Sequence, residues 1–181
     1  MNRQADSLRF LALQMKNNLQ AKISGQEKTT RVITVTSGKG GVGKTNFSVN
    51  LALALREMNY NVLILDADLG LANIDVILGI STHHNLLHVI NGEKSIHEII
   101  YEGPRGLQII PGGSGIQELA NLKDYQVENF LASLSRLDGY ADLLIIDTGA
   151  GISYSVLSFA LAAEEVIVGT TTEPTAITDA Y

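Results

Sequence analysis

Apolar residues in this chain gather in short unbroken runs that alternate with segments of helical periodicity. Val32, Ile33, Thr34, Val35 and Thr36 form a β-branched run with little polar alternation. Val62-Leu63-Ile64-Leu65, Leu107-Gln108-Ile109-Ile110, Leu143-Leu144-Ile145-Ile146 and Glu165-Val166-Ile167-Val168-Gly169-Thr170 read as further strands. The first two runs predict strands buried on both faces, as in a parallel sheet covered by helices. After the first run, Phe47, Leu51, Ala54, Leu55 and Met58 recur at helical spacing and form the expected core stripe; Val49 and the alanines between them predict cover on several sides. Short helical pieces are predicted over Ile74 to Leu78, Asn85 to Ile90 and Ile96 to Tyr101, separated by Gly79-Ile80-Ser81-Thr82 and Asn91-Gly92. Val127, Phe130, Leu131, Leu134 and Leu137 mark an amphipathic helix closed by Asp138-Gly139. Val156, Phe159, Ala160 and Ala163 mark another, and Glu173-Pro174-Thr175 opens a last one. The alternation predicts an α/β fold, a mostly parallel sheet with helices on both faces.

Two ends stand apart from this core. Residues 5 to 20 place Leu8, Leu11, Ala12, Met15 and Leu19 on one helical face, with Arg9, Lys16 and Asn17 away from it. The polar stretch Ser24 to Thr30 follows, so 1–24 is expected as an amphipathic helix, 25–30 as a linker and 31–181 as the main domain. Two readings of the helix stay open: packing back on its own domain, or binding a partner. The sequence stops at Tyr181, about two turns into the last predicted helix, and an incomplete domain is the expectation. With 181 residues and 45% apolar content, one sizeable core is the default. The net charge of −6 predicts no general attraction to nucleic acid or anionic lipid. Zero cysteines exclude disulfides, thiolate zinc sites and cysteine-held iron–sulfur clusters within this chain, and fit a reducing cytosol. No stretch approaches the ~20 apolar residues that a membrane-spanning helix needs.

The chemistry concentrates after the first strand. Gly38 to Thr45 match G-x-x-x-x-G-K-[ST], the phosphate-binding loop. Its glycines turn consecutive N–H groups toward an anion, Lys44 reaches the β- and γ-phosphates, and the Thr45 hydroxyl is a Mg²⁺ ligand. Gly38, Gly40 and Gly43 also spell G-x-G-x-x-G, with Asp66 near the distance of a dinucleotide fold's ribose-binding acid. That rival gives Lys44 and Thr45 no role, whereas a triphosphate with Mg²⁺ uses both. The second strand ends in Asp66-Ala67-Asp68 and the strand at 143 ends in Asp147, and ligands bind at such C-terminal strand ends. Asp147 therefore has the form of a Mg²⁺-binding acid, and Thr148-Gly149-Ala150-Gly151 behind it that of a switch that presents an N–H to a γ-phosphate. Pro111-Gly112-Gly113-Ser114-Gly115 follows a strand on the same side and is either a mobile turn or a second backbone approach to a ligand or partner. His84 and His88, with His83 adjacent, have the spacing of a metal pair but no accompanying carboxylate motif, so they read as surface or capping histidines.

Gly38-Lys39-Gly40-Gly41-Val42-Gly43-Lys44-Thr45 resembles the deviant Walker A loop of MinD and ParA-type ATPases, which carry an extra lysine where Lys39 stands. Asp66 to Gly70 with Asn73 matches their first switch and Asp147 to Gly151 their second, with Gly149 replacing the proline of cell-division members. Within that family, Thr171 to Tyr181 is similar to the flagellar number regulators of the FlhG (FleN, YlxH) type. The resemblance implies a MinD-like P-loop NTPase fold, truncated at its C-terminus, and a Mg²⁺-dependent ATPase of low turnover. Nucleotide, ATP or ADP, is expected on Gly38, Lys39, Gly40, Gly41, Val42, Gly43, Lys44, Thr45, Asn46 and Gly151. Thr45, Asp66 and Asp147 are the expected metal residues, and Lys39, Lys44 and Asp68 the catalytic ones. By the same resemblance, ATP drives a face-to-face homodimer in which Lys39 touches the other copy's phosphates while Asp68 orients the attacking water.

These regulators carry an N-terminal D-Q-A-x-x-L-R motif that contacts the signal-recognition-type GTPase FlhF. Gln4-Ala5-Asp6-Ser7-Leu8-Arg9 matches it, with Arg3 where the first Asp stands, and residues 4–19 are the expected contact. Flagellar switch-complex proteins are further expected partners. Membrane contact is expected only through a C-terminal helix beyond Tyr181, and localisation in the cytoplasm, at the inner face of the membrane when ATP is bound. The alternatives are a DNA-partition or cell-division-site ATPase of the same family, or a metabolic P-loop ligase.

Overall fold

The computed structural model describes residues 29–68, 70–113 and 124–181. The five apolar runs become strands β1 (Arg31–Ser37), β2 (Val62–Ala67), β4 (Gln108–Ile110), β5 (Leu143–Ala150) and β6 (Glu165–Gly169). With β3 (Tyr101–Glu102) they make one sheet in the order β3-β4-β2-β5-β1-β6, parallel throughout except for antiparallel β3 at the edge. β2 and β5 are in register with Asp66 opposite Asp147, so two acids leave the sheet side by side.

Alternate residues of the strands serve opposite faces, as a two-residue repeat requires. Ile33, Val35, Ile64, Leu143 and Ile145 pack under α1 (Lys44–Glu57) and α2 (Ile74–Leu78). Leu63, Leu65, Leu144 and Ile146 pack under α3 (Leu86–Ile90), α4 (Asp124–Ser135) and α5 (Tyr154–Ala162), where Phe130 meets Phe159 edge-on. A last helix, α6 (Pro174–Ala180), starts with proline at its first turn. The entry to β1 is tied down by Thr30, whose Oγ1 lies 2.8 Å from the Ala141 carbonyl and accepts the Gly139 N–H. The amphipathic helix expected over residues 5 to 20 lies outside the described residues. Among those described, no helix is long and apolar enough to cross a membrane.

Three local expectations are corrected. The buried face of α1 is Ser48, Val49 and Ala52, while Phe47 and Met58 are 47% and 65% exposed. Small residues let the helix lie close on the strand ends; of the expected stripe, Leu51 and Leu55 still pack half-buried against the core while Phe47 and Met58 fall outside it. Ile96 to Tyr101 is not one helix: a single 3₁₀ turn covers Ile96–Ile99, and Tyr101 joins β3. The Gly103 N–H donates to the Leu107 carbonyl at 2.8 Å and closes a hairpin onto β4, a pairing too short to leave a period in sequence. Finally, β5 does not end at its acid but runs on to Ala150, because Ala150 pairs with Ser37 after a register shift in β1.

Candidate functional site

The phosphate loop takes its shape from two left-handed glycines. Gly41 has φ 77° and Gly43 has φ 91°; nothing lies within 4 Å of where either Cβ would be, so conformation and not space demands glycine there. Gly43 caps α1, and the helix opens at Lys44 with its free N–H groups and positive dipole end at the loop. Gly38 is constrained differently. A Cβ there would sit 2.0 Å from the Asp179 carbonyl oxygen, so α6 rests directly on the loop.

Ser37 ties this loop to its surroundings. Lys44 Nζ donates to Ser37 Oγ at 2.9 Å, and that hydroxyl donates to the Lys39 carbonyl at 2.7 Å. The Ser37 carbonyl accepts the Gly151 N–H at 2.8 Å, so the amide expected to face a γ-phosphate is engaged with β1 here. Lys39 is exposed, and its ammonium lies 2.9 Å from Glu173 Oε2, just ahead of α6. Asn46 is exposed on α1, and Val42 lies against Gly169, where a Cβ would be 3.6 Å from Val42 Cγ2.

The three acids have distinct surroundings. Asp66 is buried and accepts three backbone N–H groups: Asp68 on Oδ1, and Asn73 and Ile74 on Oδ2 at 2.8 and 3.0 Å. Burial nevertheless pushes its carboxyl from the ordinary 3.8 to about 7; the Ile74 and Asn73 amides oppose this and nearby Asp147 adds to it. Asp147 is also raised, chiefly by burial, against the hydroxyls of Thr45 and Ser48 and the charge of Lys44. Its Oδ1 accepts the Ser48 hydroxyl at 2.8 Å, whereas Oδ2 is buried with no partner. Asp68, half-buried, accepts the Gly70 and Leu71 N–H groups on Oδ1, and a Cβ on Gly149 would lie 3.5 Å from that oxygen.

An orphaned carboxylate oxygen beside Thr45 and a phosphate loop fits Mg²⁺, which keeps most of its water and uses few protein ligands. Two neighbouring acids that both resist ionisation fit a cation equally. The histidines do not join this site. His88 Nδ1 accepts the Asn85 N–H in a capping box at the start of α3, and no cluster of three or more His, Cys, Asp or Glu able to hold a metal occurs among the described residues. Ser37, Ser48 and Glu173 are site neighbours that the motif reading missed. Of these only Ser48 left a signal, a polar residue one helical turn after Lys44.

The profile of the AAA domain family matches residues 30–180. The chain belongs to that family. Among AAA domain relatives, antiactivator FleN of Pseudomonas aeruginosa is 47% identical over 88% of this chain and 57% of its own length. The flagellum site-determining protein YlxH of Helicobacter pylori is 42% identical over all of this chain and 60% of its own length. The chain thus spans less than two thirds of these relatives. Septum site-determining protein MinD from Pyrococcus horikoshii, solved with Mg-ADP, superposes with a TM-score of 0.70 at 32% identity, over 83% of this chain and 61% of that one. The fold is that of a MinD-like P-loop NTPase.

Proposed function

We propose that the protein is a Mg²⁺-dependent ATPase that acts as a dimerising switch in setting flagellar number and placement. The observation that carries the chemistry is the unpartnered Asp147 Oδ2, buried next to Thr45 at the head of a glycine loop with two lysines. Identity with FleN and YlxH supports the biological role. Gly38 to Asn46 cradle the phosphates, and Lys44 leaves Ser37 for the β- and γ-oxygens. Thr45, Asp66 and Asp147 hold the cation directly or through water. Bound there, it neutralises charge on the phosphate oxygens and favours the ionised acids.

Turnover requires a second copy, whose Lys39 reaches the phosphates and balances the charge that develops there. Asp68 orients the attacking water, since a carboxylate is a weak base at neutral pH and positioning is its stronger contribution. Gly151 gives its N–H to the γ-phosphate once it leaves the Ser37 carbonyl. The proposed partners are FlhF, through residues 4–19, and flagellar switch-complex proteins. The proposed location is the cytoplasm, at the inner membrane face in the ATP state.

Calorimetry tests the first part: Mg-ATP titrated into the full-length protein releases heat, and its absence in a folded sample removes the whole reading. Co-purification tests the second: FlhF or switch-complex proteins come with the full-length protein in an ATP-dependent manner, and a nucleotide-bound dimer that brings neither refutes the flagellar role.

A further inference from the structure

Ser48 stands in an unusual place for a serine. It is fully buried in the contact between α1 and the sheet, and a helical serine ordinarily returns its proton to the carbonyl one turn back. Ser48 Oγ does lie 3.0 Å from the Lys44 carbonyl. The same oxygen lies 2.8 Å from Asp147 Oδ1, reaching from helix to strand. A hydroxyl has one proton, and an ionised carboxylate is the stronger acceptor, so the proton goes to Asp147 whenever that acid is charged. The carboxylate is then asymmetric: Oδ1 is held by Ser48, and Oδ2 remains without a partner.

We propose that Ser48 is the positioning residue of the cation site, fixing the Asp147 carboxylate so that Oδ2 is the oxygen offered to Mg²⁺ or its water. Partners behind a metal ligand orient it and tune its affinity. Ser48 is suited to this because it belongs to α1, the helix that also presents Lys44 and Thr45. The acid on β5 is thereby referenced to the phosphate loop itself. An alanine would remove the Oδ1 donor and leave the carboxylate to the Thr45 hydroxyl alone, free to rotate within the cation's place. The inference rests on the reading of this site as one for magnesium and nucleotide.

The test is the affinity of the full-length protein for ADP, measured by calorimetry in EDTA and across a Mg²⁺ titration. Ser48→Ala is expected to keep the EDTA affinity within twofold and to raise the Mg²⁺ concentration for half-maximal tightening about tenfold, the worth of one hydrogen bond to a charged group. Ser48→Cys, close in size but a weak donor, shows the same shift should the alanine variant fail to fold. Ser48→Thr, which retains the hydroxyl, returns the Mg²⁺ requirement toward that of the parent. Equal losses with and without Mg²⁺ would mean that Ser48 only packs the helix and would overturn the proposal, as would an unchanged Mg²⁺ requirement. A parent protein whose ADP affinity ignores Mg²⁺ overturns the underlying reading together with this one.

Discussion

Lys39 Nζ and Glu173 Oε2 lie 2.9 Å apart, so the cation assigned to a second copy is held within its own chain. Their side chains are 46% and 65% exposed, and such a pair contributes only about 0–1 kcal/mol. The tether is weak enough for a triphosphate to displace, and in the proposed switch it would compete with dimerisation. Glu173→Gln is expected to lower the ATP concentration for half-maximal dimer formation by about two- to fivefold, read by light scattering. Lys39→Ala should keep ATP binding and lose both the dimer and turnover. A dimer with normal turnover in that variant refutes the role of Lys39.

Asp68 both shapes its loop, by accepting the Gly70 and Leu71 amides, and is proposed to orient water. Asp68→Asn keeps an acceptor oxygen and removes the charge, which separates the two roles. Turnover should fall on the order of 100-fold or more, while ATP-bound dimer accumulates on a sizing column. A variant that stays monomeric in excess ATP would contradict this.

Stability of the nucleotide-free protein should depend on pH through Asp66. Its folded-state value of about 7 lies above the ordinary 3.8, so the folded chain holds a proton that the unfolded chain has released. The contribution is fully present below pH 4 and is lost as pH rises through 7. Asp147 shifts in the same direction. The thermal midpoint without Mg²⁺ should therefore decline as pH rises from about 4 to 7, and Asp66→Asn should flatten that slope. An unchanged slope in the variant would place the effect elsewhere.

Gly112 gives a stability test away from the phosphates. A Cβ there would lie 2.7 Å from Ala72 Cβ and 2.8 Å from the Asp66 carbonyl oxygen. Gly112→Ala should destabilise by roughly 1–3 kcal/mol, measured by urea unfolding, and should weaken Mg-nucleotide binding because Asp66 and its loop must shift. Unfolding at the parent's urea midpoint would rule out the crowding.

The phosphate loop, Asp66 and Asp147 were legible because their meaning is local: a buried run, a glycine octet and an acid at a strand end occupy short stretches of chain. Gly112 and Gly113 stayed ambiguous between a mobile turn and an approach to a ligand or partner, and neither describes their close packing within the chain. The structure settles them as buried against Asp66, Ala72 and Leu87. The α1 face was misread because Phe47 and Met58 carry the hydrophobicity while Ser48 and Ala52 make the contact, and close approach selects for small size. Ser37, Ser48 and Glu173 gain their roles only once β5 and α6 are folded beside the loop. Ser48 and Asp147 are 99 positions apart in sequence, beyond the reach of any spacing rule.

Ser37 bears on how nucleotide affinity is to be understood. An arriving anion meets an ammonium already bonded to a hydroxyl and an amide already bonded to the carbonyl of that same residue. Phosphate contacts therefore exchange one set of bonds for another, and the heat released reports only their difference. In the proposed switch a diphosphate would claim the Lys44 ammonium alone and a γ-phosphate the Gly151 amide as well, so one serine would register how many phosphates have come.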